Sequence, residues 1–147
     1  MAKVDVSTSL IINRPVSIVA SYAADPDNVP EWYVNIKSVE WRSERPAAVG
    51  SQIAFVAHFL GRRLAYTYQI IELIPDKRLV MRTSEGPFPM EASYEWATVT
   101  DSSTRMTLRN RGEPSGFSVL MSPLMSFMMR RANIKDLALL KRLLEQS

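Results

Sequence analysis

The sequence predicts an α+β domain: a curved antiparallel sheet of about seven strands around one long C-terminal helix, with two short helices between strands one and two. Three observations carry this. Runs of apolar–polar alternation recur from Val4 to Arg111, the period of half-buried strands. The first run stops at Asn13-Arg14-Pro15 and gives way to a proline-punctuated segment through Trp32. The chain then closes on Ser122 to about Glu145, apolar at helical spacing with no proline after Pro123.

Residues 3–12 form strand one, with Val4, Val6, Leu10 and Ile12 on one face and Asp5, Ser7 and Ser9 on the other. Asn13 can cap a helix over Pro15 to Ala23, and Pro15 suits a first turn whose N–H is unpaired anyway. That helix stops before Asp25-Pro26, because the residue before proline avoids the helical region. Asp27 or Asn28 can cap a second short helix through Glu31-Trp32.

Residues 36–44 form strand two, with Val39 and Trp41 inward. Residues 51–59 and 64–74 read as a hairpin around Leu60-Gly61-Arg62-Arg63. If Phe59 faces Leu64, one face collects Ile53, Phe55, Ala57, Phe59, Leu64, Tyr66, Tyr68 and Ile70, and this face is the buried one. Residues 78–84 form the next strand, and 90–99 with 104–111 the last hairpin. There Met90, Ala92, Tyr94 and Trp96 point inward with Met106, Leu108 and Asn110. Glu91 and Glu95 point out beside Arg105, Arg109 and Arg111, as cross-strand ion pairs.

Ser122 is read as the cap of the last helix and Pro123 as its first residue. Its length is ~24 residues, or ~36 Å. The apolar stripe is read through Leu124, Met125, Phe127, Met128, Ile134, Leu137, Ala138 and Leu144, with Lys135, Lys141, Arg142 and Glu145 off its densest part. A curved sheet and a straight helix cannot touch everywhere, so a cavity between them is expected.

The 147 residues suit a single domain, 1–147. With no cysteine and one histidine, disulfides, thiolate chemistry and a zinc site are not expected. The net charge of +3 is spread among acidic residues, which argues against nucleic acid as a partner. Neither a signal peptide nor a transmembrane segment is read, so a cytoplasmic protein is the default. A monomer or weak homodimer is expected.

Ile12 to Trp32 (INRPVSIVASYAADPDNVPEW), the hairpin strand STRMTLR and the closing DLALLKRLLE resemble the polyketide cyclase/dehydrase-like proteins. These belong to the START-related SRPBCC superfamily, with the helix-grip fold. The resemblance covers nearly the whole chain, and its first segment is the most specific part. It implies a deep, mostly apolar cavity between sheet and long helix. Relatives bind lipids, sterols, polyketides, quinones or hormones there, and a minority catalyse a reaction. It implies no universal catalytic motif, so it locates a site better than it names an activity.

The cavity wall is assigned to Phe55, Tyr66, Tyr68, Met81, Tyr94 and Trp96, with Met106 and Asn110 from the last strand and Met125 and Met128 from the helix. Trp41 is added to this wall from strand two, Trp32 at the base and Phe88 from a gating loop at the mouth. Tyrosine and tryptophan suit an apolar ligand with a polar end, although core aromatics have the same composition. Trp32 either closes the cavity or packs beneath the short helices. An inward amide at Asn110 needs a partner.

His58 falls on the outer face, and no inward carboxylate pair is visible. Asp25, Asp27 and Glu31 lie in the helical connection, and Glu85 and Glu113 in loops. The catalytic residues are therefore unassigned, and no cofactor or metal is expected. Ser84 to Pro89, with Phe88 as an exposed aromatic, and Gly112 to Met121 are read as gating loops. The methionine-rich helix start beside Arg130 and Arg131 reads as core packing, a plastic cavity mouth, or a lid touching a membrane transiently.

Three functions remain. The first is binding of a hydrophobic small molecule (lipid, quinone or polyketide-like) in a cavity of several hundred Å³. The second is a cyclase or dehydratase, which requires a polar cluster inside the cavity that the register does not show; Asn110 and a tyrosine converging with a buried carboxylate would favour it. The third is a protein-interaction module with a filled cavity and an exposed stripe of Met121, Met125 and Met129.

Overall fold

The computed structural model describes residues 4–59, 61–113 and 122–146. Seven antiparallel strands form one sheet in the order β1-β7-β6-β5-β4-β3-β2. They are β1 (Val4–Ile12), β2 (Ile36–Trp41), β3 (Gln52–Phe59), β4 (Arg62–Ile74), β5 (Arg78–Glu85), β6 (Met90–Thr100) and β7 (Ser103–Gly112). Helix α1 (Val16–Ala23), a 3-10 turn (Pro26–Asn28) and α2 (Val29–Trp32) link β1 to β2, and α3 (Ser122–Glu145) closes the chain. This is the helix-grip fold.

The sheet order explains the sharp break after Ile12. Strands β1 and β2 are consecutive in sequence yet lie at opposite edges of the sheet. The linking segment must cross the open end, and its prolines and aspartates build that crossing. The Asn13 side chain does not cap α1: the N-cap is Pro15, with no side-chain cap hydrogen bond. Asp25 caps the 3-10 turn instead, accepting from the Asp27 N–H at 3.0 Å. The second helix splits because Pro26 and Pro30 each fit only a first turn.

Inner faces follow the alternation, but pairings differ in two places. The β3–β4 register sets Phe59 opposite Arg62 and Phe55 opposite Tyr66, two residues tighter than expected. Only two residues separate these strands, and Gly61 there has φ +74°, a conformation glycine adopts without strain. A shift of two keeps every side chain on its face. Strand β2 ends at Trp41 rather than residue 44, and an irregularity between Ile36 and Ser38 resets its alternation.

The stripe that α3 buries is only partly the one its apolar residues suggest. Leu124, Phe127 and Ile134 are exposed, Phe127 by 59%. Met125, Leu137 and Leu144 are buried as expected, joined by Asn133, Asp136 and Leu140. Their spacing of three and four residues marks one helix face. Each fully buried leucine contributes about 1.5–3 kcal/mol. The helix runs along β1 and touches α2. Its C-terminal end is pinned to β1: Glu145 accepts from the Asn13 N–H at 2.7 Å, and Lys141 Nζ donates to the Ile11 carbonyl at 2.9 Å. No described helix is long and apolar enough to cross a membrane. The readings of Leu60, Met121, the Ser122 cap and most of the Gly112–Met121 loop fall outside the described residues.

Candidate functional site

A hollow lies between the inner face of the sheet and the first half of α3. From the sheet, Phe55, Ala57, Tyr66, Tyr68, Met81, Ala92, Tyr94 and Asn110 line it. From α3 come Met125, Met129, Ala132 and Asn133, and from the corner between α2 and β2 come Tyr33 and Asn35. Each wall follows from local periodicity: alternate residues of a strand, and residues one turn apart on a helix.

Water centres have about 90 Å³ to occupy here, within a hollow of about 870 Å³ that includes its open mouth. The enclosed part is smaller than the several hundred Å³ expected. The cause is aromatic crowding: Tyr66 stands 4.9 Å from Tyr68 and 5.7 Å from Phe55, centroid to centroid.

Several of the expected wall residues sit elsewhere. Trp32 is fully buried one layer behind the wall, 5.4 Å from the Tyr33 ring and 5.6 Å from Tyr94. Trp96 and Met106 are buried in the core beyond Tyr94 and do not line the hollow. Met128 is half-buried and does not line it either, because Met125 and Met129 hold the inward face of that turn. Trp41 lies on an edge strand at the rim. Its indole N–H donates to Asp27 at 2.9 Å, and Arg45 stacks over the ring at 4.8 Å.

Phe88 differs the other way. It is buried and faces the hollow rather than solvent. Its loop is folded inward by Thr83, whose hydroxyl donates to the Met90 carbonyl and accepts from the Met90 N–H. Gly86 allows the approach: a Cβ there would stand 3.0 Å from the Tyr66 side chain. Met125 is buried and Met129 half-buried, so these two do not form the exposed stripe that a protein-interaction module would show.

Three polar residues that escaped sequence reading, Tyr33, Asn133 and Asp136, stand together with Asn110. Asn110 Nδ2 donates to the Tyr33 hydroxyl at 2.8 Å. That hydroxyl donates to Asn133 Oδ1, a long bond at 3.5 Å. One turn further along α3, Asp136 is fully buried and accepts from the Val34 N–H at 2.9 Å through Oδ1. Its Oδ2 has no partner. Burial pushes its carboxyl up to about 7, against the pull of the Val34 N–H. Burial, with the Asp136 charge next, holds the Tyr33 phenol well above its ordinary range, so it stays protonated. Burial likewise raises Tyr66, Tyr68 and Tyr94. One carboxyl that sequence reading passed over, Asp136, is thus buried behind Tyr33. Asn133 and Asp136 held the spacing of a buried helix face, and that was the available signal. Tyr33, in a turn, gave none.

At the mouth, Arg111 lines the hollow and pairs with Glu91, which also binds Arg82 at 2.9 Å. Burial raises the Glu91 carboxyl, but the two guanidiniums outweigh it and hold it below its ordinary range. His58 is exposed on the outer face, opposite Arg63. Among the described residues, no group of histidines and carboxylates could hold a metal.

A curled sheet gripping one helix over an apolar hollow defines a START-related SRPBCC protein. The chain belongs to the family of polyketide cyclase / dehydrase and lipid transport proteins, whose model matches residues 3–145. No curated protein matches it. Among solved structures, a Thermus thermophilus protein superposes with a TM-score of 0.83 at 18% identity, covering 97% of both chains. The Zhui aromatase/cyclase from a Streptomyces species gives 0.82 at 14% identity, covering 98% of this chain and 94% of its own. A START superfamily protein from Mycobacterium smegmatis gives 0.81 at 16% identity, covering 97% of both. At these identities the likeness is one of fold. The family supports ligand binding or cyclase-type activity.

Proposed function

We propose that the protein binds a hydrophobic small molecule, of lipid, quinone or polyketide type, in the hollow between the sheet and α3. The observation that supports this reading is the wall itself: mostly apolar and aromatic side chains, drawn from six strands and α3, with few polar groups among them. The narrow enclosed space favours a flat or slender ligand. Native mass spectrometry of freshly purified protein, followed by solvent extraction, tests it: a retained apolar molecule is expected. Ala132→Phe places a ring in the hollow from a half-buried position on α3. It is expected to weaken binding of added ligand by at least tenfold with little loss of stability. Unchanged affinity in a folded Ala132→Phe protein would count against the cavity as the site.

One observation favours a second reading, cyclase or dehydratase chemistry. Asn110 and Tyr33 converge near a buried carboxylate. A tyrosine that accepts a hydrogen bond from Asn110 is a sharpened donor toward an oxygen gaining negative charge. Under this reading, Tyr33→Phe abolishes turnover of a reactive β-keto chain, seen as disappearance of the dehydrated product, while its binding falls by less than tenfold. Equal turnover in both proteins removes it.

A further inference from the structure

Asn133 is 1% exposed, lines the hollow and carries a side-chain N–H group with no partner. A buried, unpaired amide costs about 1–3 kcal/mol unless something accepts from it. The amide is oriented from outside itself. Asn110 Nδ2 donates to the Tyr33 oxygen, so the Tyr33 proton is left to point onward, and Asn133 Oδ1 receives it. This turns Asn133 Nδ2 outward from the chain of bonds as a free donor. The polar end of the hollow thus offers a donor whose own acceptor is already engaged.

Charge narrows what it can receive. On the same buried face of the helix, one turn away, lies Asp136, with an unpaired oxygen of its own. The tyrosines around this end remain neutral. The one cation that lines the hollow, among the described residues, is Arg111 at the mouth, already engaged by Glu91. An anion beside Asn133 would lie near the buried Asp136 carboxyl behind Tyr33, with no lining cation among the described residues but the engaged Arg111.

We propose that Asn133 is the recognition group for the ligand's polar end, and that this end is a neutral, hydrogen-bond-accepting oxygen such as a ketone. This rests on the binding reading and deepens it: the ligand is an apolar skeleton entering with a carbonyl foremost, rather than a hydrocarbon or a carboxylate.

Three probes of one skeleton test it: tetralin, 1-tetralone and tetralin-1-carboxylate, titrated into the full chain by calorimetry. The ketone is expected to bind about tenfold tighter than the hydrocarbon, and the carboxylate weakest. Asn133→Leu erases the preference for ketone while keeping tetralin affinity. In the unaltered protein, the Asn133 side-chain amide resonance shifts with 1-tetralone and not with tetralin. That readout does not depend on whether a variant folds. Equal affinity for ketone and hydrocarbon, tighter carboxylate binding, or an unmoved Asn133 resonance overturns the assignment and leaves the cavity reading standing. Failure of all three probes to bind overturns both.

Discussion

Asp136→Asn is expected to raise stability at about pH 8 by roughly 2–4 kcal/mol, and to change it little at about pH 4. The carboxyl has an ordinary value of 3.8 and is pushed up to about 7 in the fold. Its folded value lies above its unfolded value, so the fold prefers the neutral acid. That advantage is complete below about 3.8, shrinks as pH rises, and is gone above about 7. There the fold must hold a buried anion with one oxygen unpaired. At ~1.4 kcal/mol per pH unit, the interval corresponds to about 4 kcal/mol. Asparagine keeps the acceptor for the Val34 N–H and removes the charge, but its own buried amide nitrogen lowers the gain. Urea denaturation of both proteins between pH 4 and 8 decides: two curves that separate upward through neutrality support this account. A variant less stable than wild type at pH 8 overturns it, because the anion would then have a compensating partner.

How far the site could be read in advance varies from residue to residue. The inner faces of β3, β4, β6 and β7 were legible because a strand's faces are fixed by a period of two, a local property. Tyr66, Tyr68, Tyr94 and Asn110 therefore stand where alternation put them. Pairing is not local, and the tight turn at Gly61 moved the β3–β4 register by two. On α3 the search for apolar residues selected Leu124, Phe127 and Ile134, all exposed, and passed over Asn133 and Asp136. A helix face is defined by spacing, and two polar members do not break it when each has a tertiary partner. Those partners, Tyr33 and the Val34 N–H, lie in a turn about a hundred residues away in sequence. Trp41 shows the converse: its inward parity was right, but an edge strand turns the same face toward the rim, where Asp27 and Arg45 hold the ring.

Trp32→Ala is expected to cost about 3–5 kcal/mol, the range for truncating a fully buried aromatic. The ring is buried among Val29, Tyr33 and Tyr94, and its loss leaves a hole directly behind two cavity-lining tyrosines. Trp32→Phe is expected to cost only about 1–2 kcal/mol. The indole N–H has no partner, so phenylalanine forfeits volume but no hydrogen bond. The two variants separate anchoring from ligand contact. As an anchor, Trp32 stabilises the crossing segment and, through Tyr33, keeps the Asn110–Tyr33–Asn133 chain in place. Trp32→Phe then retains ligand affinity within about twofold, while Trp32→Ala lets Tyr33 tilt back and admits bulkier ligands. Chemical denaturation gives the stabilities, and titration with a skeleton one ring larger than tetralin gives the second effect. A Trp32→Phe protein of near-normal stability that no longer binds ligand would place the indole against the ligand itself. The crossing segment would then be part of the cavity wall rather than its support.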